Sequence, residues 1–207
     1  MPLNWRQAVL ELEYICNDAA PVALLYGTEF ASEAAQVTRL CQLPVSACLN
    51  NGGPSDYEMG LAIAKGELAP PPRSLDDVCS ILYTSGTTGR PKGAMMTYGM
   101  GLYNAVHAAM VVELTSASTN LVFLPTFHAG GLDIYANPAF HSGGCNVVMR
   151  SFDPTYFLNL LSDKDLQITH ALGVPTNFLM MAQQPGFADA DLSHVVCLSV
   201  GGAAPWP

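Results

Sequence analysis

Short apolar runs alternate along the chain with stretches whose apolar residues recur at helical spacing. Val9, Leu12, Ile15 and Ala19 fall on one face, with Glu11, Glu13 and Asn17 off it, which predicts a helix; Asn4, with Gln7 three residues on, reads as its N-cap. The run Val22 to Tyr26 reads as a buried strand stopped by Gly27. Thr28 then caps a helix carrying Phe30, Ala34, Val37 and Leu40, and Pro44 to Leu49 reads as a second buried strand. Asn50 to Ser55 is a turn cluster, followed by a short helix over 56–64.

Ala69-Pro70-Pro71-Pro72-Arg73 forbids helix and reads as a linker. It suggests a first α/β part over 1–68, a linker over 69–77 and a second part over 78–207. In the second part, strands are predicted at 78–84, 93–97, 121–124, 146–149, 167–171 and 195–200. Helices are predicted at 98–112, from Asp153-Pro154 onward, where an acidic N-cap precedes a proline suited to the first helical position, and at 175–182. Such alternation predicts an α/β layered fold with mostly parallel, buried strands and flanking helices.

Composition narrows the function. The net charge is −9, which argues against a nucleic-acid binder, because such proteins need basic surface to displace counterions. Half of the residues are hydrophobic and only 12% are charged, too apolar for disorder and unusually apolar for a self-contained soluble surface. Every apolar stretch breaks before the roughly 18 residues a membrane span needs, and no signal peptide opens the chain, so a cytoplasmic location is expected. The six cysteines form no Cys-x-x-Cys pair and read as reduced, mostly buried thiols; no metal ligands are assigned.

Tyr83 to Gly93, YTSGTTGRPKG, carries the strongest chemical signal. It starts at the carboxyl end of a predicted strand, the edge where ligands of α/β sheets gather. Gly86 and Gly89 allow backbone N–H groups to converge, Thr84, Ser85, Thr87 and Thr88 add hydroxyl donors, and Lys92 adds a mobile positive charge, with Arg90 as a candidate second one. A phosphate chain is the ligand that needs so many donors. The segment is not a Walker loop: the second Gly would fall on Pro91, no Ser or Thr follows Lys92, and a strand comes next.

This segment resembles the phosphate-loop signature of the adenylate-forming enzymes, which include acyl-CoA synthetases, firefly-type luciferases and nonribosomal peptide synthetase adenylation domains. Pro2-Leu3-Asn4 with Arg6, Leu124 to Gly131 (LPTFHAGG) and Gly201-Gly202-Ala203-Ala204-Pro205 resemble further blocks of that family. The resemblance implies a two-step reaction. A carboxylate attacks the α-phosphate of Mg-ATP, giving an acyl-adenylate and pyrophosphate, and the thiol of coenzyme A then takes the acyl group. It assigns Thr84, Ser85, Gly86, Thr87, Thr88, Gly89 and Lys92 to the departing β- and γ-phosphates.

The resemblance also bears on the acid. Amino-acid-activating members carry an Asp after the aromatic residue of the second block, and here His128 follows Phe127. An imidazole cannot replace a buried carboxylate against an ammonium group. A fatty or aryl acid is therefore expected, with His128 at the acyl pocket. Gly201, Gly202 and Ala203 are expected to border the same pocket; the competing reading is an ordinary strand-to-turn glycine pair. Arg150 is a candidate partner of the coenzyme A phosphates, with a surface arginine as the competing reading.

The chain lacks the family's later blocks: the adenine-stacking Tyr, the Mg-binding Glu, the ribose-binding Asp and the lid domain with its catalytic Lys. It reads as part of a large N-terminal domain, with the magnesium ligand outside it. A catalytically inactive remnant with weak nucleotide-phosphate binding is the alternative.

Overall fold

The computed structural model describes residues 1–49, 55–66, 69–84 and 89–202. The chain forms two compact units. One comprises Leu3–Arg73 and Tyr83–Ala94; the other comprises Met1–Pro2, Ser74–Leu82 and Met95–Pro207.

In the first unit, α1 (Val9–Ala19), β1 (Ala23–Gly27), α2 (Ala31–Leu40) and β2 (Val45–Leu49) form a β-α-β unit preceded by a helix. The two strands are parallel, with Leu24 opposite Ser46 and Tyr26 opposite Cys48. Leu12 and Cys16 of α1 and Val37 of α2 form the buried core, against which Leu24 and Leu43 pack. Two expected caps are corrected. Asn4 accepts the Arg6 N–H within a preceding turn, while α1 begins after Ala8, whose N–H donates to the Glu11 carboxylate at 2.9 Å. Thr28 opens a single 3-10 turn, and α2 starts only after Phe30. The strands are also less buried than their apolar runs suggest: Leu25 and Val45 are each 51% exposed. Leu24 belongs to the core while Leu25 points away from it, so pleat alternation covers one face and leaves the other.

α3 (Asp56–Ile63) carries a reciprocal cap, with Ser55 Oγ accepting from the Glu58 N–H and the Glu58 carboxylate accepting from the Ser55 N–H. The expected turn cluster before it lies, except for Ser55, outside the described residues. β3 (Val78–Thr84) and β4 (Lys92–Thr97) form a two-stranded sheet. Cys79 Sγ donates to Met96 O and Thr84 Oγ1 to Lys92 O, an order of contacts that makes the pair antiparallel.

In the second unit, Thr97 Oγ1 accepts from Met100 N–H and starts α4 (Tyr98–Val112). The remaining elements are β5 (Thr119–Val122), α5 (Ala129–Leu132), α6 (Ala136–His141), β6 (Cys145–Val148), α7 (Pro154–Leu161), β7 (His170–Gly173), α8 (Pro175–Ala182) and β8 (Cys197–Val200). The four strands form a parallel sheet in the order β6-β5-β7-β8. Asp153 Oδ1 caps α7 by accepting the Tyr156 N–H at 2.7 Å, with Pro154 at the first turn, as the sequence predicts.

The two faces of this sheet differ chemically. Leu121, Val147, Ala171 and Leu198 point to a core filled by Phe157, Leu158 and Leu161 of α7, Met181 of α8, and Phe123, Met149 and Ile168. Phe123 and Phe157 meet edge to face, 4.6 Å between ring centroids. On the opposite face the register lines up Asn146, Asn120, His170 and Cys197, one from each strand. Tyr135, just before α6, covers this polar row.

The cysteines are less buried than expected. Cys16 is buried, whereas Cys79 and Cys145 are exposed, the latter on edge strand β6. Burial, with Cys41 beside it, pushes the Cys16 thiol up to about 11. Among the described residues, no helix is long and apolar enough to cross a membrane.

Candidate functional site

The first cluster lies at the β3–β4 turn. β3 ends at Thr84, whose hydroxyl donates to the Lys92 carbonyl at 3.5 Å and ties the two shoulders of the turn together. Gly89 has φ +87°, a left-handed conformation that L side chains rarely adopt. Lys92 and Thr84 are exposed. Ser85, Gly86, Thr87 and Thr88 lie outside the described residues.

Both flanks of this turn reach α1. The Tyr83 hydroxyl donates to Asp18 Oδ2 at 2.5 Å. Partial burial, and then this bond to a carboxylate, hold the Tyr83 phenol well above its ordinary range. The Arg90 guanidinium stands over the Tyr14 ring, 5.7 Å from its centroid. Sequence reading assigned no role to Tyr14 or Asp18, because nothing in their local pattern distinguishes them from other off-face helix positions.

The second cluster follows β5. The His128 N–H donates to Pro125 O at 3.1 Å, and its own carbonyl accepts from the Gly131 and Leu132 N–H groups, so His128 is the N-cap of α5. The turn is tight. A Cβ on Gly131 would lie 2.3 Å from Pro125 O, so only glycine fits. The buried Phe127 ring lies 4.7 Å from that of His128, which is itself exposed.

A cleft opens beside this turn. It is small, about 10 Å³, and is lined by Asn120, Val122 and Leu172 from the sheet, by Leu124 just beyond β5, and by Gly130, Gly131, Tyr135 and Ala136 from the following segment. The lining from this following segment begins at Gly130, two residues after His128. Gly201 follows β8: its N–H donates to Gly173 O at 3.0 Å, and a Cβ on it would contact Leu172, one of the lining residues, at 3.9 Å. Gly202 has φ +76° and faces Val174. Gly130 and Gly131, in the turn that His128 caps, line this cleft, whereas His128 and Gly201 are not among its lining residues. Arg150 is exposed, two residues beyond the end of β6 and not among the cleft's lining residues. Ala203 lies outside the described residues.

Asn120 and Tyr135 of this lining, together with His170, were missed by sequence reading. The available signal was a polar residue at or near the start of each of three apolar strands. Asn120 Nδ2 donates to Asn146 Oδ1 at 2.8 Å, and Asn146 Nδ2 donates to Ala136 O. Asn120 Oδ1 is buried without a partner. The Tyr135 hydroxyl bonds the Ser199 hydroxyl, with Cys197 Sγ 3.6 Å away, and burial pushes the phenol up to about 12. His170 is fully buried, its Nδ1 2.7 Å from Thr169 Oγ1. No cluster of His, Cys, Asp or Glu among the described residues is arranged to hold a metal ion.

Known proteins resemble the chain over nearly its whole length. The chain is 35% identical over 205 residues to a feruloyl-CoA synthase of Amycolatopsis, covering 98% of this chain and 39% of that protein. It is 32% identical to an indoleacetate–CoA ligase of Aromatoleum aromaticum, covering 97% of this chain and 40% of the relative. Among solved structures, ATP-bound MatB from Rhodopseudomonas palustris superposes with a TM-score of 0.83 at 28% identity, covering 98% of this chain and 39% of that one. The N-terminal domain of FACL13 from Mycobacterium tuberculosis gives a TM-score of 0.81 at 26% identity, covering 99% of this chain and 50% of that one. The chain therefore spans about two fifths of the length of these curated relatives. A family model described as AMP-binding enzyme matches residues 1–207, and the chain belongs to that family.

Proposed function

We propose that this chain is the phosphate-loop-bearing part of an enzyme that activates a carboxylic acid with ATP and transfers the acyl group to coenzyme A. The observation that carries this reading is the YTSGTTGRPKG segment at the β3–β4 turn, with Gly89 in the left-handed region and Lys92 exposed at the start of β4. In the first step a substrate carboxylate oxygen attacks the α-phosphorus and the α–β P–O bond breaks. Pyrophosphate leaves with the bonding pair, and the growing charge needs donors fixed in advance. Thr84, Ser85, Gly86, Thr87, Thr88 and Gly89 would supply hydroxyl and backbone donors, and Lys92 the positive charge. In the second step the sulfur of coenzyme A attacks the acyl carbon and AMP leaves. Magnesium would neutralise phosphate charge when bound; the described residues offer no ligand cluster for it.

The acyl group would lie beside the His128 turn, where Gly130 and Gly131 line a small cleft, with Gly201, Gly202 and Ala203 beyond it. His128, standing where an ammonium-binding acid would be required, disfavours amino acids. The similarity to a feruloyl-CoA synthase and an indoleacetate–CoA ligase favours aryl acids among the carboxylates. Arg150 would meet the coenzyme A phosphates. Six free thiols suit a reducing, cytoplasmic setting.

The test is to incubate the full-length protein with ATP, magnesium and coenzyme A against a panel of aryl, fatty and amino acids, measuring AMP and thioester. Thioester formation from aryl or fatty acids is expected. An amino acid as the best substrate would overturn the choice of acid, and no acid-dependent AMP at all would overturn the reading.

A further inference from the structure

Two independent contacts tie the flanks of the phosphate loop to a single helix. Tyr83, immediately before Thr84, donates to Asp18 at 2.5 Å. Arg90, immediately after Gly89, holds its guanidinium over the Tyr14 ring, 5.7 Å from the centroid. Tyr14 and Asp18 are four residues apart on α1 and so neighbour each other on one helix surface. All four residues belong to the same compact unit.

Asp18 breaks a local rule. It is the penultimate residue of α1, at the helix end where the macrodipole is negative and a carboxylate is disfavoured. Its bond to Tyr83 is charge-assisted, short and reaches 65 residues along the chain. A rule broken locally with a specific long-range compensation marks a place where something other than helix stability sets the residue. Arg90 likewise has its guanidinium over the Tyr14 ring, 5.7 Å from the centroid, within the range of a cation–π contact.

We infer that Tyr14 and Asp18 are positioning residues of the phosphate loop, holding its two described flanks, Thr84 and Gly89, in place through Tyr83 and Arg90. This rests on the phosphate-binding reading of the loop. It makes Arg90 a structural anchor rather than a second phosphate cation and leaves Lys92 as the loop's charge toward the phosphates. Pre-fixed donors lower the ordering cost of binding, so loosening a flank weakens contacts with the β- and γ-phosphates and spares the rest of the nucleotide.

The test compares equilibrium binding of ATP and AMP to the full-length protein without acid, in the parent and in Tyr83→Phe, Asp18→Ala, Tyr14→Leu and Tyr14→Phe. ATP affinity is expected to fall about tenfold in Tyr83→Phe and Asp18→Ala, on the scale of one lost charge-assisted bond, and about two- to fivefold in Tyr14→Leu, on the scale of one exposed cation–π contact, with AMP affinity near that of the parent. Tyr14→Phe, which keeps the ring, is expected to bind like the parent. The double variant Tyr83→Phe/Asp18→Ala is expected to be no worse than the weaker single. Unchanged ATP affinity in Tyr83→Phe, or equal losses for ATP and AMP, would overturn the inference while leaving the phosphate-loop reading intact. Tyr83→Phe removes one oxygen, so it keeps the test valid if Asp18→Ala does not fold. A parent that binds no ATP would overturn both.

Discussion

His170 Nε2 lies 2.7 Å from the carbonyl oxygen of Val112, the last residue of α4. That carbonyl belongs to the end of a helix, where the last turn has no partner of its own. A carbonyl only accepts, so Nε2 carries the proton. The pair ties a fully buried strand residue to the helix that precedes the sheet in sequence. Thr169 completes the arrangement: its hydroxyl bonds His170 Nδ1, and it accepts the Thr119 N–H across to β5.

His170→Ala is therefore expected to cost about 3–5 kcal/mol, combining a cavity with orphaned polar partners. His170→Phe fills the space but leaves the Val112 carbonyl unpaired, for about 2–3 kcal/mol. Urea denaturation of the full-length protein measures both, and a His170→Phe variant as stable as the parent would contradict the role given to the bond.

Gly130 and Gly131 are adjacent but predict opposite results. A Cβ on Gly131 meets backbone, Pro125 O at 2.3 Å and Leu124 O at 2.5 Å, so Gly131→Ala must open the turn that carries His128, at about 2–3 kcal/mol. A Cβ on Gly130 meets only Leu124 Cδ1, at 3.7 Å. Gly130→Ala should keep its stability and narrow the cleft, raising KM for bulky acids more than for slim ones. Denaturation and acid KM values across a size series separate the two effects.

Replacing His128 is expected to change the ranking of acids and leave ATP affinity nearly intact, because the residue caps the segment beside the cleft. Acid competition assays on His128→Ala check this. A uniform loss across all acids, together with weaker ATP binding, would remove His128 from the acyl pocket.

Asp133 introduces a pH dependence. Desolvation raises its carboxyl above the ordinary value of 3.8, the Asn137 amide offsets this in part, and Oδ2 is buried without a partner. A raised folded-state carboxyl favours the protonated form, so its stabilising contribution is full below 3.8 and is lost as pH rises through the folded-state value. Asp133→Asn should thus gain stability over the parent as pH climbs from about 4 to neutrality, with no gain at about pH 3. Melting temperatures of both proteins across that window measure it. A gain that is constant with pH would assign the effect to something other than ionisation.

Much of the fold is legible in the sequence where local and tertiary demands agree. β3, α4 and α8 occupy Val78–Thr84, Tyr98–Val112 and Pro175–Ala182, as their patterns predict. Legibility fails where partners distant in sequence decide. The segment 125–144, rich in glycine and proline, predicts no element, yet it forms α5 and α6 because the polar sheet face supplies Tyr135 and Ala136 with partners. β7 is expected at 167–171 and forms at His170–Gly173, since Gln167 takes a left-handed conformation with φ 48°. The row Asn146, Asn120, His170 and Cys197 is invisible to periodicity, because only strand order and register bring it together. Tyr83–Gly93 is legible for the opposite reason: its donors are contiguous in the chain.

The most direct test of the account is carboxylate-dependent exchange of pyrophosphate into ATP by the full-length protein, parent against Lys92→Ala. The account predicts exchange in the parent with aryl or fatty acids. In Lys92→Ala it predicts a fall of about 30- to 1,000-fold, corresponding to about 2–4 kcal/mol for one preorganised charged donor, with the ranking of acids unchanged. Parental exchange in Lys92→Ala, accompanied by an altered acid ranking, would contradict it.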